Sequence, residues 1–360
     1  MKINNRFFFP ILFLVTPIIL IEWAKNYPSF IEHYYSGVVF KYWSRAMQVL
    51  LGWIPFSVGD VLLFSIIIYG LRFVYILFNT KFKGFKHKVV KITCILSIVY
   101  CCFYLFWGLN YYREPLSKRL GYEKSTYSNE QLIDLSTYLI SKLNEAHILI
   151  TKSDSLQVTI PYSNEKIYLL ARNGYDQLSL DFPEFSYKFG KVKSSLMSLI
   201  QSYNGVSGYF NPFTGEAQVN DKIPKTIMPT TTCHEMAHQI GFAAENEANF
   251  IGFLAALSNE DLYFKYAAYR MATRYVIFEL YHRDQKIYIE LYNTINIGII
   301  KDFQESSEFW RKYKNPFEPI IKKGYNAYLE SNNQKDGIKS YNYVVDLLIG
   351  YYKKTGYKNN

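Results

Sequence analysis

The chain has 360 residues, a formal net charge of +10 and an aromatic content of 18%, enough for one large or two medium domains. Its positive charge gathers in Lys81, Lys83, Lys86 and Lys88 and in Lys353, Lys354 and Lys358. These positions flank an apolar stretch or solvate a terminus, which excludes a phosphate-binding face and hence nucleic acid as a partner. The four cysteines, Cys94, Cys101, Cys102 and Cys233, form no paired framework, so disulfides do not hold the fold. The 34 tyrosines are scattered and read as core and interface packing.

In chain order, three apolar segments come first. Phe7–Ile21 carries no charge and follows Lys2 and Arg6; no small-residue cleavage site comes after it, so it reads as a retained anchor and not a signal peptide. Val61–Phe78 is apolar apart from Arg72, and Ile92–Tyr112 runs uncharged for 21 residues, long enough to cross about 30 Å of hydrocarbon. The expectation is about three transmembrane helices at 7–24, 59–78 and 91–112, within a membrane region at 1–112 and with the lipid bilayer as a partner. With the lysine cluster of the second loop held inside, three crossings place residues 113–360 outside the cytoplasm, in the periplasm if the membrane is an inner one. Two crossings would remove that argument.

The remainder reads as an α+β domain. Ser128 to Gln131 has the spacing of a capping box opening a helix to about Ile148. Gln157–Pro161 alternates like a short strand, and a helical region covers Gly174–Tyr203 with breaks near Pro183 and Gly190. Gly208–Asn220, aromatic and rich in turn residues, predicts a strand or hairpin. It is a candidate edge for an extended substrate backbone, with an ordinary structural hairpin as the alternative. Residues 259–297 and 306–352 are expected to be mostly helical.

Between these lies TTTCHEMAHQIGFAAENEAN, residues 230–249. His234 and His238 are four apart and share one helix face, close enough to grip one metal ion, while Glu235 can serve as a base beside them. Thr230 to Thr232 offer cap hydroxyls for the start of that helix. A catalytic zinc takes three protein ligands and keeps one position open. Glu245 and Glu247 are the candidates for the third, but a straight helix would carry Glu245 roughly 10 Å along the axis from His238. The chain must therefore turn back, and Gly241 sits where a left-handed cap permits it. A second helix from Ala243–Ala244 would put Glu245 and Asn249 on one face, Glu245 as ligand and Asn249 orienting a ligand histidine. Glu247 points about 200° away and reads as a solvated or structural carboxylate, paired with a nearby lysine or arginine. Cys233 projects about 100° from His234 and reads as packing, and Glu216 does not read as a ligand. Tyr209, His282 and Arg283 are the candidates for stabilising an oxyanion.

HExxH followed by E-x-E-A-N resembles the gluzincin metallopeptidases, especially the membrane-embedded prenyl-protein and heat-shock protease families, whose third ligand opens an E-x-x-A-D run. Glu245 matches that ligand and Asn249 stands where those families have Asp; the interval after His238 is shorter than theirs. The metzincin pattern HExxHxxGxxH would place its third histidine at Ala244, which cannot bind metal. WGLNYYREPL (107–116), SGYFNPFTGEAQVN (207–220) and CHEMAHQIGFAAENEANF (233–250) are similar to a family of uncharacterised bacterial multi-pass membrane proteins carrying a domain-of-unknown-function label. That resemblance implies a zinc metallopeptidase and leaves its substrate open.

The expected architecture is mostly α, with N-terminal transmembrane helices followed by a zincin-like α+β domain at 113–360 with a small sheet and an HExxH helix. The expected function is a membrane-anchored zinc metallopeptidase. His234, His238 and Glu245 would bind Zn2+, Glu235 would act as general base, and a peptide or protein would be the substrate. The alternatives are a non-catalytic membrane scaffold or sensor with a structural or vestigial zinc, and hydrolysis of a cell-wall or lipid-linked amide by the same residues.

Overall fold

A computed structural model describes residues 5–122 and 127–356, with side chains from Leu12 onward. Lys2, Lys358 and positions 123–126 of the segment joining the two regions lie outside the described residues, as do the side chain of Arg6 and those of the first part of the 7–21 anchor. The protein is mostly helical with one three-stranded sheet. It divides into two compact units, Met1–Glu114 with Asn211–Glu216, and Pro115–Phe210 with Ala217–Asn360.

In the first unit the helix Asn5–Asn26 packs on the helix Phe85–Phe106. A ten-residue π-helical stretch, Ile31–Phe40, runs directly into the helix Lys41–Leu51. Such winding is rare beyond a single turn, and polar side chains pin this one. Glu32 takes a two-pronged ion pair from Arg113, at 2.7 Å through each nitrogen. Ser36 donates to Asn110 Oδ1 at 2.8 Å, and Tyr35 donates to the Leu105 carbonyl at 3.0 Å.

Among the described residues two helices are long and apolar enough to cross a membrane, Val58–Asn79 and Phe85–Phe106. The first agrees with the sequence expectation to within a residue. The second is displaced: it begins before residue 91 and stops at Phe106, because Trp107 leaves helical geometry (φ −148°) and Gly108–Tyr112 forms a buried 3-10 turn. Lys86, Lys88 and Lys91 consequently lie in its first two turns, and the loop itself keeps only Lys81 and Lys83 of the basic cluster. Val58–Asn79 is capped by Ser57, whose hydroxyl accepts the Asp60 N–H. Glu216 accepts the N–H groups of Val58 (3.2 Å) and Gly59 (2.6 Å). A carboxylate at a helix N-terminus satisfies orphan donors and meets the positive end of the dipole, so Glu216 has a structural role.

The second unit is built around the helix Glu245–Ser258, whose Phe250, Ile251, Phe253 and Ala255 are fully buried. It packs on the helices Asn164–Asp181, Met228–Gln239, Leu262–Arg283 and Val344–Thr355. At Gly252 an added Cβ would come within 2.9 Å of the His234 backbone nitrogen. The absence of a side chain there lets the two site helices approach closely. Asn129–Thr151 opens on the expected capping box, with Ser128 and Gln131 bonded reciprocally. The next helix starts at Asn164, ten residues before the predicted Gly174, under a cap from Ser163. The predicted strand at Gln157–Pro161 is absent. Val158 and Ile160 are buried and their neighbours exposed, so the alternation is real, but no strand ladder forms over it. The sheet consists of β1 (Val192–Ser194), β2 (Gly208–Asn211) and β3 (Glu216–Val219) in the order β1-β3-β2. Strand β1 runs parallel to β3 with Val192 opposite Ala217, which leaves β2 at an edge.

Candidate metal centre

The helix Met228–Gln239 starts two residues before the threonines expected to cap it. Thr230, Thr231 and Thr232 lie inside its first turns and bond back to the carbonyls of Ile227 and Met228, the usual recourse of a threonine within a helix. Gly241 then takes φ +95°, and its N–H and that of Phe242 return to the carbonyls of His238 and Ala237. This is a left-handed C-terminal cap, open to glycine without steric cost. After that reversal Ala244 is extended and the second helix begins at Glu245.

The reversal brings His234, His238 and Glu245 together, with one donor atom of each within 4.8 Å of the others. Glu245 Oε2 lies 3.3 Å from His234 Nε2 and 3.6 Å from His238 Nε2. Donors on adjacent corners of a zinc tetrahedron, each about 2.05 Å from the ion, are themselves roughly 3.3 Å apart; the residues fit the metal. The arrangement also calls for a cation on chemical grounds. His238 Nδ1 lies 2.6 Å from the Phe242 carbonyl, a contact that only a donor N–H makes favourably. A neutral ring then has no proton on Nε2, so its lone pair faces the carboxylate. Either a second proton on the imidazole or a metal ion resolves that repulsion. With the imidazole protonated, burial works to depress the pKa of His238, but hydrogen bonding to Glu245 outweighs it and lifts the value to about 9. Burial works to raise Glu245, and the hydrogen bonds from His234 and His238 overcome it and hold the carboxyl well below the usual range.

Glu235 is 3% exposed, and among the described residues its Oε2 has no hydrogen-bond partner. Burial pushes its pKa up to about 7, with the two histidines pulling down and Glu245 pushing up. Strand β2 passes directly over it: a Cβ on Gly208 would meet Glu235 Oε1 at 2.7 Å. His234 is the half-buried member of the trio and marks the more open side of the site.

Glu247, two residues from Glu245, faces elsewhere and accepts the Leu116 N–H at 2.7 Å. Cys233 is buried and burial pushes its thiol pKa up; its carbonyl accepts the Tyr175 hydroxyl at 2.6 Å. Asn249 gives its amide to the Tyr275 hydroxyl at 3.1 Å, whereas the group orienting His238 is the Phe242 carbonyl. Of the oxyanion candidates, Tyr209 follows Gly208 on β2. Arg283 pairs with Glu279 (2.8 Å) and lies over the Tyr127 ring, and His282 packs its ring on Phe278 and Tyr281. The residues that sequence reasoning missed are Tyr325 and Tyr341. Tyr325 donates to Glu245 Oε1 at 3.0 Å and sits 2.8 Å from the Tyr341 hydroxyl. No local pattern links Tyr325 to a glutamate 80 residues earlier, or Tyr341 to the same residue from still farther along the chain.

Neither a curated protein nor a solved structure matches the chain. A family model described as "Protein of unknown function (DUF3810)" matches residues 35–349. That match takes in the second half of the π-helical stretch, both apolar helices, the sheet, the metal trio and Tyr325, and it covers most of the length, so the chain belongs to the DUF3810 family.

Proposed function

We propose that the protein is a membrane-anchored zinc-dependent hydrolase whose substrate bond is a peptide amide. The observation that carries this reading is the donor set. Among the described residues three groups and no fourth could hold an ion at this point, and three ligands with an open position distinguish a catalytic zinc site from a structural one. The scaffold reading would need a further ligand, and both Cys233 and Glu247 are otherwise placed. Zinc held there supplies a Lewis acid that polarises a carbonyl and makes water acidic near neutral pH.

The protein's own contribution is Glu235. Buried beside the trio and, among the described residues, without a partner on Oε2, it takes a proton from the attacking water and returns it to the leaving amine. The edge of β2 beside Glu235 lies where an extended peptide backbone would pair. Membrane anchoring is supported by Val58–Asn79 and Phe85–Phe106, whose apolar side chains face outward in large numbers and require a non-aqueous surrounding. With Asn5–Asn26 as a third crossing, the metal centre lies outside the cytoplasm.

The test is metal content and peptide-library hydrolysis of detergent-purified full-length protein. One zinc per chain with hydrolysis, and Glu235→Gln keeping the zinc while losing hydrolysis at least 100-fold, is the expected result. A wild type without metal, or a fully active Glu235→Gln variant, overturns the reading.

A further inference from the structure

Glu245 is a buried carboxylate whose two oxygens have different surroundings. Oε2 faces the two histidine nitrogens, 3.3 Å from His234 Nε2 and 3.6 Å from His238 Nε2. Oε1 accepts the Tyr325 hydroxyl at 3.0 Å. A phenol has one proton. If Tyr325 spends its proton on Glu245, the 2.8 Å contact between Tyr325 and Tyr341 is made by the proton of Tyr341. The two hydroxyls then form a directed chain, Tyr341 to Tyr325 to Glu245, in which each bond polarises the next, and the Tyr341 hydroxyl also lies within reach of the Glu245 carboxylate itself.

We propose that Tyr325, backed by Tyr341, is a positioning residue for the metal centre: it ties down one oxygen of Glu245 and commits the other to the ion. The proposal rests on the metal-binding reading above. Its framework is visible in the fold. Tyr325 belongs to the helix Glu318–Ser331, in which Leu329 is the one buried residue, so broad apolar burial does not place the phenol. The Tyr325 side chain is 39% exposed in spite of its hydroxyl reaching a buried carboxylate. Asn326 fixes the helix by accepting the Ile338 N–H at 3.0 Å. Ile338 is the second residue of the 3-10 segment Gly337–Tyr343, which carries Tyr341 and packs on the Glu245 helix. The segment that presents the second phenol therefore also registers the first against the ligand. Losing the hydroxyl would free Glu245 to rotate and to offer both oxygens, changing what the ion sees without removing a ligand.

The experiment titrates zinc against a competing chromophoric chelator on full-length protein, and records the visible spectrum of the cobalt-loaded form, for wild type, Tyr325→Phe, Tyr341→Phe and Tyr343→Phe. Removing a group that orients a ligand typically lowers metal affinity by about 10–100-fold. Tyr325→Phe is expected to show that loss together with a shifted cobalt spectrum, and Tyr341→Phe a smaller loss in the same direction. Tyr343, on the same segment but bonded to Asp336 at 2.7 Å, serves as the control and should leave both readings unchanged. Wild-type affinity and spectrum in both Tyr325→Phe and Tyr341→Phe would overturn the proposal, as would lost affinity with an unchanged spectrum. If Tyr325→Phe does not fold, Tyr341→Phe decides alone. A wild type that binds no zinc overturns the metal centre itself, a result distinct from all of these.

Discussion

Two pairs of helices in this protein solve opposite problems. Val58–Asn79 and Phe85–Phe106 carry their apolar residues outward and their lysines at the connecting end. Met228–Gln239 and Glu245–Ser258 are buried by the helices around them and carry ionisable groups on the seam between them. The first pair presents outward apolar faces that an apolar surrounding would shield. The second is stable only where its charges find one another or a cation. Secondary structure is the same in both; what differs is which groups must be shielded, and from what.

The largest effect should come from the seam of the buried pair. His238→Ala removes one of the three proposed ligands. If the ligands share a binding free energy on the order of 12 kcal/mol, about 4 kcal/mol and roughly 10³-fold in zinc affinity should go, read by chelator competition. Retention of wild-type affinity would show that the ion is held elsewhere. The outward faces come next. Ile68 is 64% exposed in the apolar helix and Leu169 is 66% exposed in Asn164–Asp181. Ile68→Asp should cost about 2.5–3.5 kcal/mol of membrane insertion, whereas Leu169→Asp should change stability by only about 0.5 kcal/mol. An insertion assay for the first and a thermal melt for the second make the comparison. Equal tolerance of both would break the distinction between the two pairs.

Each pair of helices was legible in the sequence to a different depth. The apolar helices announce themselves by composition, but Trp107 ends the second of them while the run is still uncharged, since apolarity does not encode a turn. The metal pair was legible down to Gly241 and Glu245, because HExxH fixes a helix face and a third ligand so close in sequence requires the chain to reverse. The choice between Glu245 and Glu247 followed from a 200° rotation, and the Leu116 N–H that occupies Glu247 agrees with it. Tyr325 and Tyr341 were not legible, because they meet Glu245 only through tertiary packing. The supposed strand at Gln157–Pro161 shows the converse limit: alternating burial records a half-buried extended segment, and a sheet also needs a partner with free backbone groups.

A moderate effect is expected at Glu216. Replacing it with Gln keeps the shape but removes the charge from the two N–H groups of Val58 and Gly59. That should cost about 1–2 kcal/mol of the first unit's stability, less at high salt. A melt of Glu216→Gln in detergent indistinguishable from wild type, at low and high salt alike, would show that Ser57 caps the helix unaided.

The last effect depends on pH, and its sign separates the proton from the metal as the cation on the seam. Without metal, the pKa of His238 is raised from about 6.5 to about 9 by its hydrogen bond to Glu245, against the effect of burial. A raised folded-state value means stabilisation that is complete below the unfolded pKa and disappears as pH rises through the folded one. Metal-free protein should therefore lose stability between about pH 6.5 and 9, by at most about 1.4 kcal/mol per pH unit, or a few degrees in Tm. Glu245, held low, contributes the reverse loss as pH falls below the ordinary carboxylate range. Saturating zinc should abolish the alkaline loss, because the ion replaces the proton, and binding near pH 7.5 should release that proton. Calorimetry in buffers of different ionisation enthalpy measures the release directly. A zinc titration that liberates no proton, with metal-free melts flat from pH 6.5 to 9, would mean that His238 is already neutral beside Glu245. The lone-pair conflict at the seam would then have to be relieved by the two side chains moving apart.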